Sequence, residues 1–129
     1  MLAKDIMTRE VITVPAKTLV EDVSTLLVQH RISATPVVDT KGHVLGIVSE
    51  ADLMSKKGKQ AREIMSKRVV SVAEDASVSE IASTMITNCV NRVPVMRGDA
   101  MVGIVSRADI VRAIALGEHI ALQSPMYDL

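Results

Sequence analysis

The sequence predicts a mixed alpha/beta (α+β) fold: two β-α-β-β-α repeats packed around a pseudo-twofold axis. Three observations predict it. Short β-branched runs alternate with amphipathic helical stretches along the chain. The order of these elements occurs twice. Finally, Gly46-Ile47-Val48-Ser49-Glu50-Ala51-Asp52 returns as Gly103-Ile104-Val105-Ser106-Arg107-Ala108-Asp109, with the same Gly-Ile-Val-Ser-x-Ala-Asp skeleton. One three-stranded repeat is too thin to bury both faces of its sheet, and pairing two copies solves that problem.

In chain order, Ala3 to Met7 reads as a short helix ended by Thr8-Arg9-Glu10. Val11 to Val14 is β-branched throughout and stops at Pro15, a short strand. Thr18 with Glu21 three residues on forms a capping-box pattern, opening a helix that runs to His30 with Val20, Val23 and Leu27 on one face. Ser33 to Val38 is a second strand, whose Pro36 belongs near a strand start or at an edge. Asp39 to Gly42 is a turn, Val44 to Val48 a third strand, and Ser49 starts the next helix.

The order then begins again. Arg62-Glu63-Ile64-Met65 matches Lys4-Asp5-Ile6-Met7, Val69 to Val72 matches Val11 to Val14, and Val93-Pro94-Val95 matches Thr35-Pro36-Val37. The expected division is residues 1–57 and 58–117 for the two repeats and 118–129 for a C-terminal tail. Ser55 to Gln60 reads as a solvated connector, and Gly117 sits where a helix C-cap belongs. The tail, with Ile120, Leu122, Met126, Tyr127 and Leu129, is apolar enough to dock on this chain or a neighbour.

Composition narrows the function. Fifteen basic and fifteen acidic residues balance to zero, and Tyr127 is the sole aromatic. Nucleic-acid binding is therefore not expected, because it draws on a basic surface and on stacking aromatics. No apolar run approaches the roughly 18 residues of a membrane span, and the first residues lack the basic-then-apolar order of a secretory signal. Cys89 is the only cysteine, which excludes an intrachain disulfide; we expect a packed residue in a reducing, cytoplasmic setting. His30, His43 and His119 show no metal-ligand spacing, so no metal is expected. No catalytic motif accompanies Ser49 or Ser106, so no enzyme activity is expected either.

The repeated turn carries the chemistry. A helix start offers free N–H groups and a positive dipole end, suited to phosphate. An ionised carboxylate accepts hydrogen bonds only, so Asp52 or Asp109 can take two neighbouring hydroxyls. Without aromatics, a flat ring bound at the turns would lie among aliphatic side chains such as Ile47 and Ile104. Capping alone also explains Ser-x-x-Asp, and the two roles can coexist.

Asp5-Ile6-Met7-Thr8, Arg62 to Ser66, Pro36-Val37-Val38, Pro94-Val95 and above all the two Gly-Ile-Val-Ser-x-Ala-Asp turns resemble a known family. It is the tandem cystathionine-β-synthase (CBS) domain pair, or Bateman module. The resemblance covers residues 3 to 116 and implies a regulatory module that binds adenosine derivatives in clefts between the repeats and acts through a homodimer. It implies AMP, ADP or ATP as ligands, with S-adenosylmethionine or NAD as lesser candidates, and a regulated protein partner. Asp52 and Asp109 would hold the ribose, and Ser49 and Ser106 would lie near phosphate. Thr13, Val14, Ser71 and Val72 would lie beside the adenine. A basic residue two before the strand proline meets phosphate in the family; here it is Arg92 in the second repeat, while the first has Ala34. The alternative is a ligand-free scaffold used for dimerisation or partner docking.

Overall fold

The structure, a computed structural model, describes residues 1–120. The tail residues Leu122, Met126, Tyr127 and Leu129 lie outside the described residues. The chain forms two compact units. The first is Ile12–Val69; the second joins Met1–Val11 to the chain from Val70 onward.

The first unit contains β1 (Val14–Pro15), α2 (Val20–His30), β2 (Ala34–Val38), β3 (Val44–Ser49), α3 (Glu50–Ser55) and α4 (Ala61–Ile64). The second contains α1 (Ala3–Ile6), β4 (Val72–Ala73), α5 (Val78–Thr87), β5 (Arg92–Arg97), β6 (Ala100–Ser106) and α6 (Arg107–Ala115). Each unit holds one three-stranded sheet, in the orders β1-β2-β3 and β4-β5-β6. The outer short strand runs parallel to the central one, which forms an antiparallel hairpin with the third.

The run Val11 to Val14 is not the strand its β-branched residues suggest: pairing covers only Val14↔Val37 and Pro15↔Val38. The physical reason lies on the neighbouring strand. One step back along this parallel register stands Pro36, which has no N–H to give. The second unit repeats the effect, with Val72↔Val95 paired and Pro94 one step before Val95. Each proline thus sits in the middle strand, but where that strand has a ladder partner on one side only, as an edge position requires.

Helix starts also depart from expectation once. α2 is capped at Leu19 with no side-chain cap bond, so the Thr18–Glu21 box does not form. Instead, backbone bonds secure this corner: Val20 N–H donates to Lys59 O (2.9 Å) and Ala61 N–H donates to Thr18 O (2.8 Å). In α5, by contrast, the Ser77 hydroxyl accepts from Glu80 N at 3.1 Å. We therefore expect Ser77→Ala to cost about 1 kcal/mol of stability and Thr18→Ala much less, as urea denaturation of the two variants would show.

Two buried clusters hold the units together. Val14, Val23, Leu27, Val37, Val48, Ala61 and Ile64 form the first core. The second gathers Ile81, Met85, Val93, Val95, Val105 and Ile110 among others, with Ile120 packed against its margin. The expected face of α2 is thereby realised, with Val23 and Leu27 buried and Val20 packed against the same core. Cys89 departs from the packed role expected of it: it is exposed and sits at a positive φ of 54°, just past the end of α5. Gly117, with φ 99°, follows the C-cap residue Leu116 of α6, as a left-handed terminator does.

Candidate functional site

Each Gly-Ile-Val-Ser-x-Ala-Asp segment is the end of a core strand running straight into a helix. Val48 and Val105 are fully buried and fix the strand end. Ser49 and Ser106 then occupy the N-cap positions of α3 and α6 in extended backbone. The aspartates sit at the third helical position, and both turns form the reciprocal capping box.

In the second unit, Asp109 Oδ2 accepts from Ser106 N at 2.8 Å and from Ser106 Oγ at 3.0 Å. Its other oxygen, Oδ1, meets Arg112 Nη1 at 2.9 Å, from an arginine side chain that is 67% exposed. In the first unit, Asp52 Oδ2 accepts the same pair from Ser49, at 2.9 and 3.0 Å. Asp52 Oδ1 takes two more groups, Lys56 Nζ at 2.8 Å and Ser66 Oγ at 3.1 Å. Both aspartates are buried, at 5% and 8% exposure, and so are poised carboxylates rather than surface charges.

Burial alone pushes the Asp52 carboxyl up, but the Lys56 ammonium, the Ser49 backbone N–H and the Ser49 and Ser66 hydroxyls outweigh it. The result lies below the ordinary 3.8. A carboxylate depressed in the folded state stabilises above its unfolded pKa, and that stability is lost as pH falls through the folded value. Denaturation followed from pH 7 downward should show a loss below the ordinary 3.8 that is smaller in Asp52→Asn.

Arg92 is brought to the turn by sheet register. It opens β5 directly opposite Ser106 on β6. Facing residues of an antiparallel pair carry their side chains on the same side of the sheet, with Cβ atoms roughly 5 Å apart. Arg92 is half-buried and forms no salt bridge among the described residues. In the first unit the residue facing Ser49 is Ala34, which brings no cation. The two turns are thus unequal in their cations as well as in their carboxylates.

The remaining candidates divide. Val14 and Val72 are buried in the two cores, with 2% and 8% exposure, so their side chains serve packing. Thr13 is half-buried and Ser71 exposed, each just ahead of its two-residue strand. Ile47 and Ile104 are half-buried, and their backbones are engaged by a segment that periodicity did not bring to the site. Ile47 bridges to Ser66, and Ile104 to Thr8, each with two backbone hydrogen bonds.

That segment also explains the glycines. A Cβ on Gly103 would stand 2.5 Å from Met7 Sδ and 2.9 Å from Thr8 O; one on Gly46 would stand 2.8 Å from both Met65 Sδ and Ser66 O. The close approach these glycines permit is thus to the chain's own Met-Thr and Met-Ser segments. Ser66, Lys56 and Arg112 are site residues the sequence reading missed. For Lys56 and Arg112 the signal was the i,i+4 or i,i+3 spacing of a cation from the turn aspartate; Ser66, fourteen residues from Asp52, carried none. Among the described residues there is no His, Cys, Asp or Glu group suited to a metal, and no helix is long and apolar enough to cross a membrane.

Comparison with known proteins agrees with this architecture. The CBS domain model matches residues 3–58 and 61–116. The structure is similar to CBSX2 in complex with AMP, with TM-score 0.84 and 25% identity over 89% of this chain and 96% of that one. It is also similar to the CBS domain pair of protein MJ0100 in complex with 5-methylthioadenosine and S-adenosyl-L-methionine. There the TM-score is 0.83 and the identity 30%, over 92% of this chain and 98% of that one. In sequence it is 31% identical over 115 residues to the L-aspartate semialdehyde sulfurtransferase of Methanocaldococcus jannaschii, covering 86% of this chain and 23% of that enzyme. Several other curated relatives are likewise spanned in part only, from 23% to 60% of their length. With two family matches over nearly the whole described chain, this protein belongs to the CBS domain family and carries two CBS domains in tandem.

Proposed function

We propose that this chain is a regulatory module that binds an adenosine derivative of the AMP, ADP or ATP class at a strand-to-helix turn. One observation carries the proposal: register sets Arg92, which forms no salt bridge among the described residues, opposite Ser106, the cap of the turn that holds the buried Asp109. A cation, a helix N-terminus and an acceptor-only carboxylate are what a phosphorylated ribose needs side by side. In this reading Asp109 takes ribose hydroxyls, Arg92 and Ser106 meet phosphate, and Ile104 with Ser71 borders the base. Ser49, Asp52, Ile47 and Thr13 are the corresponding set in the first unit. The adenosine ligands of the two solved relatives support the class of molecule. Calorimetric titration with AMP, ADP, ATP and S-adenosylmethionine tests it; absence of saturable binding below about millimolar concentration would overturn it.

A second reading, association with another copy or a protein partner, has its own observation. α6 leaves Val111 and Ile114 exposed, at 59% and 48%, and Leu116 just past its end is 70% exposed. A chain that binds no nucleotide but sediments as a dimer, and reverts to monomer on Val111→Glu, would favour this reading.

A further inference from the structure

The two turns look equivalent in sequence, yet their carboxylates are engaged differently. A carboxylate has about four lone-pair positions. At Asp52 four groups fill them: Ser49 N, Ser49 Oγ, Lys56 Nζ and Ser66 Oγ, all within 3.1 Å. Lys56 Nζ also lies 3.4 Å from Ser66 Oγ, so ammonium, hydroxyl and carboxylate close a triangle. At Asp109 three groups are present, and the third is the largely exposed Arg112. The residue that takes Ser66's place in the second unit is Thr8, which bridges Ile104 by its backbone and makes no hydrogen bond to Asp109. The residue that takes the place of Lys56 is Ala113, buried in the second core.

Resting on the nucleotide reading above, we infer that Lys56 and Ser66 are specificity-determining residues that close the Asp52 turn to a ribose and restrict the chain to one nucleotide, at Asp109. A diol approaching Asp52 has to displace a hydroxyl and an ammonium already at hydrogen-bond distance from a buried oxygen, and leaves Ser66 without its acceptor. At Asp109 it needs to displace one solvated guanidinium, or to share Oδ1 with it. The Asp52 carboxylate instead works as a latch. It ties the end of α3, through Lys56, to Ser66 beyond α4, and so holds the connecting segment between them against the first unit's sheet.

The test uses the full chain, with AMP as probe and urea denaturation as a second, ligand-free readout. The wild type should bind one AMP per chain. Ser66→Ala should lower the denaturation midpoint, whereas Thr8→Val should leave the midpoint in place. Lys56→Met with Ser66→Ala should add a second binding event, seen with adenosine as well because Ala34 gives that turn no phosphate cation. Two equivalents of AMP on the wild type, or a double variant that still binds one, would overturn the assignment. If no adenosine derivative binds the wild type, the nucleotide reading falls. The latch then stands or falls on the midpoints: equal shifts for Ser66→Ala and Thr8→Val refute it.

Discussion

Replacing Gly103 by alanine is expected to produce the largest loss of stability of any single change at the turns. The added Cβ would sit 2.5 Å from Met7 Sδ, 2.8 Å from Met7 Cγ and 2.9 Å from the Thr8 carbonyl oxygen. A methionine side chain can swing away, but a backbone carbonyl held in a two-bond bridge to Ile104 has little room to move. Overpacking of this kind costs roughly 1–3 kcal/mol, and loss of the bridge adds to it. The backbone at Gly103 has no positive φ, so space and not conformation is the reason for glycine here. Chemical denaturation should therefore show Gly103→Ala destabilised far more than Gly98→Ala. At Gly98 a Cβ meets nothing within 4 Å, and the penalty comes only from its φ of 59°.

The second large effect concerns binding. Asp109→Asn is expected to weaken both AMP and adenosine, because the ribose is common to both. Hydrogen bonds to a charged group contribute about 1.5–3 kcal/mol, which corresponds to roughly a 10- to 100-fold loss in affinity. Arg92→Ala should weaken AMP by a similar factor while leaving adenosine nearly unaffected, since the guanidinium addresses phosphate alone. Added salt should reduce the difference between the two ligands. Calorimetry on the four combinations of variant and ligand checks the division of roles, and equal losses for both ligands with Arg92→Ala would contradict it.

Much of this architecture was legible because the same local rules act twice. The amphipathic helices, the Ser-x-x-Asp caps and the long strands of each hairpin are short-range features, and these formed where spacing put them. Arg92 was legible only through the family resemblance, as the basic residue two before the strand proline, and strand register sets it opposite Ser106. What was not legible is non-local. Nothing in Val11 to Val14 reports that Pro36 will cut its ladder, because the missing N–H belongs to another strand. Nothing in Thr18-x-x-Glu21 reports that Lys59 and Ala61 will satisfy that corner by backbone bonds. Ser66 reads as one more polar residue until the first unit folds it onto Asp52.

The exchange of segments between the repeats has a consequence for the order of events during synthesis. The first unit is one unbroken piece of chain and is complete once Val69 has been made. The second is divided: Ala3 donates its N–H to Ala76, and Thr8 bridges to Ile104. Residues 1–11 are made before the rest of the second unit and therefore have no docking site until that unit exists, and the closure of so long a loop is slow. During that interval the same site on a neighbouring nascent chain is an equally good partner. Slow closure at high concentration is the condition under which identical segments trade places between copies. Refolding at high and low chain concentration, followed by a measurement of mass, would reveal whether this protein keeps its first residues for itself.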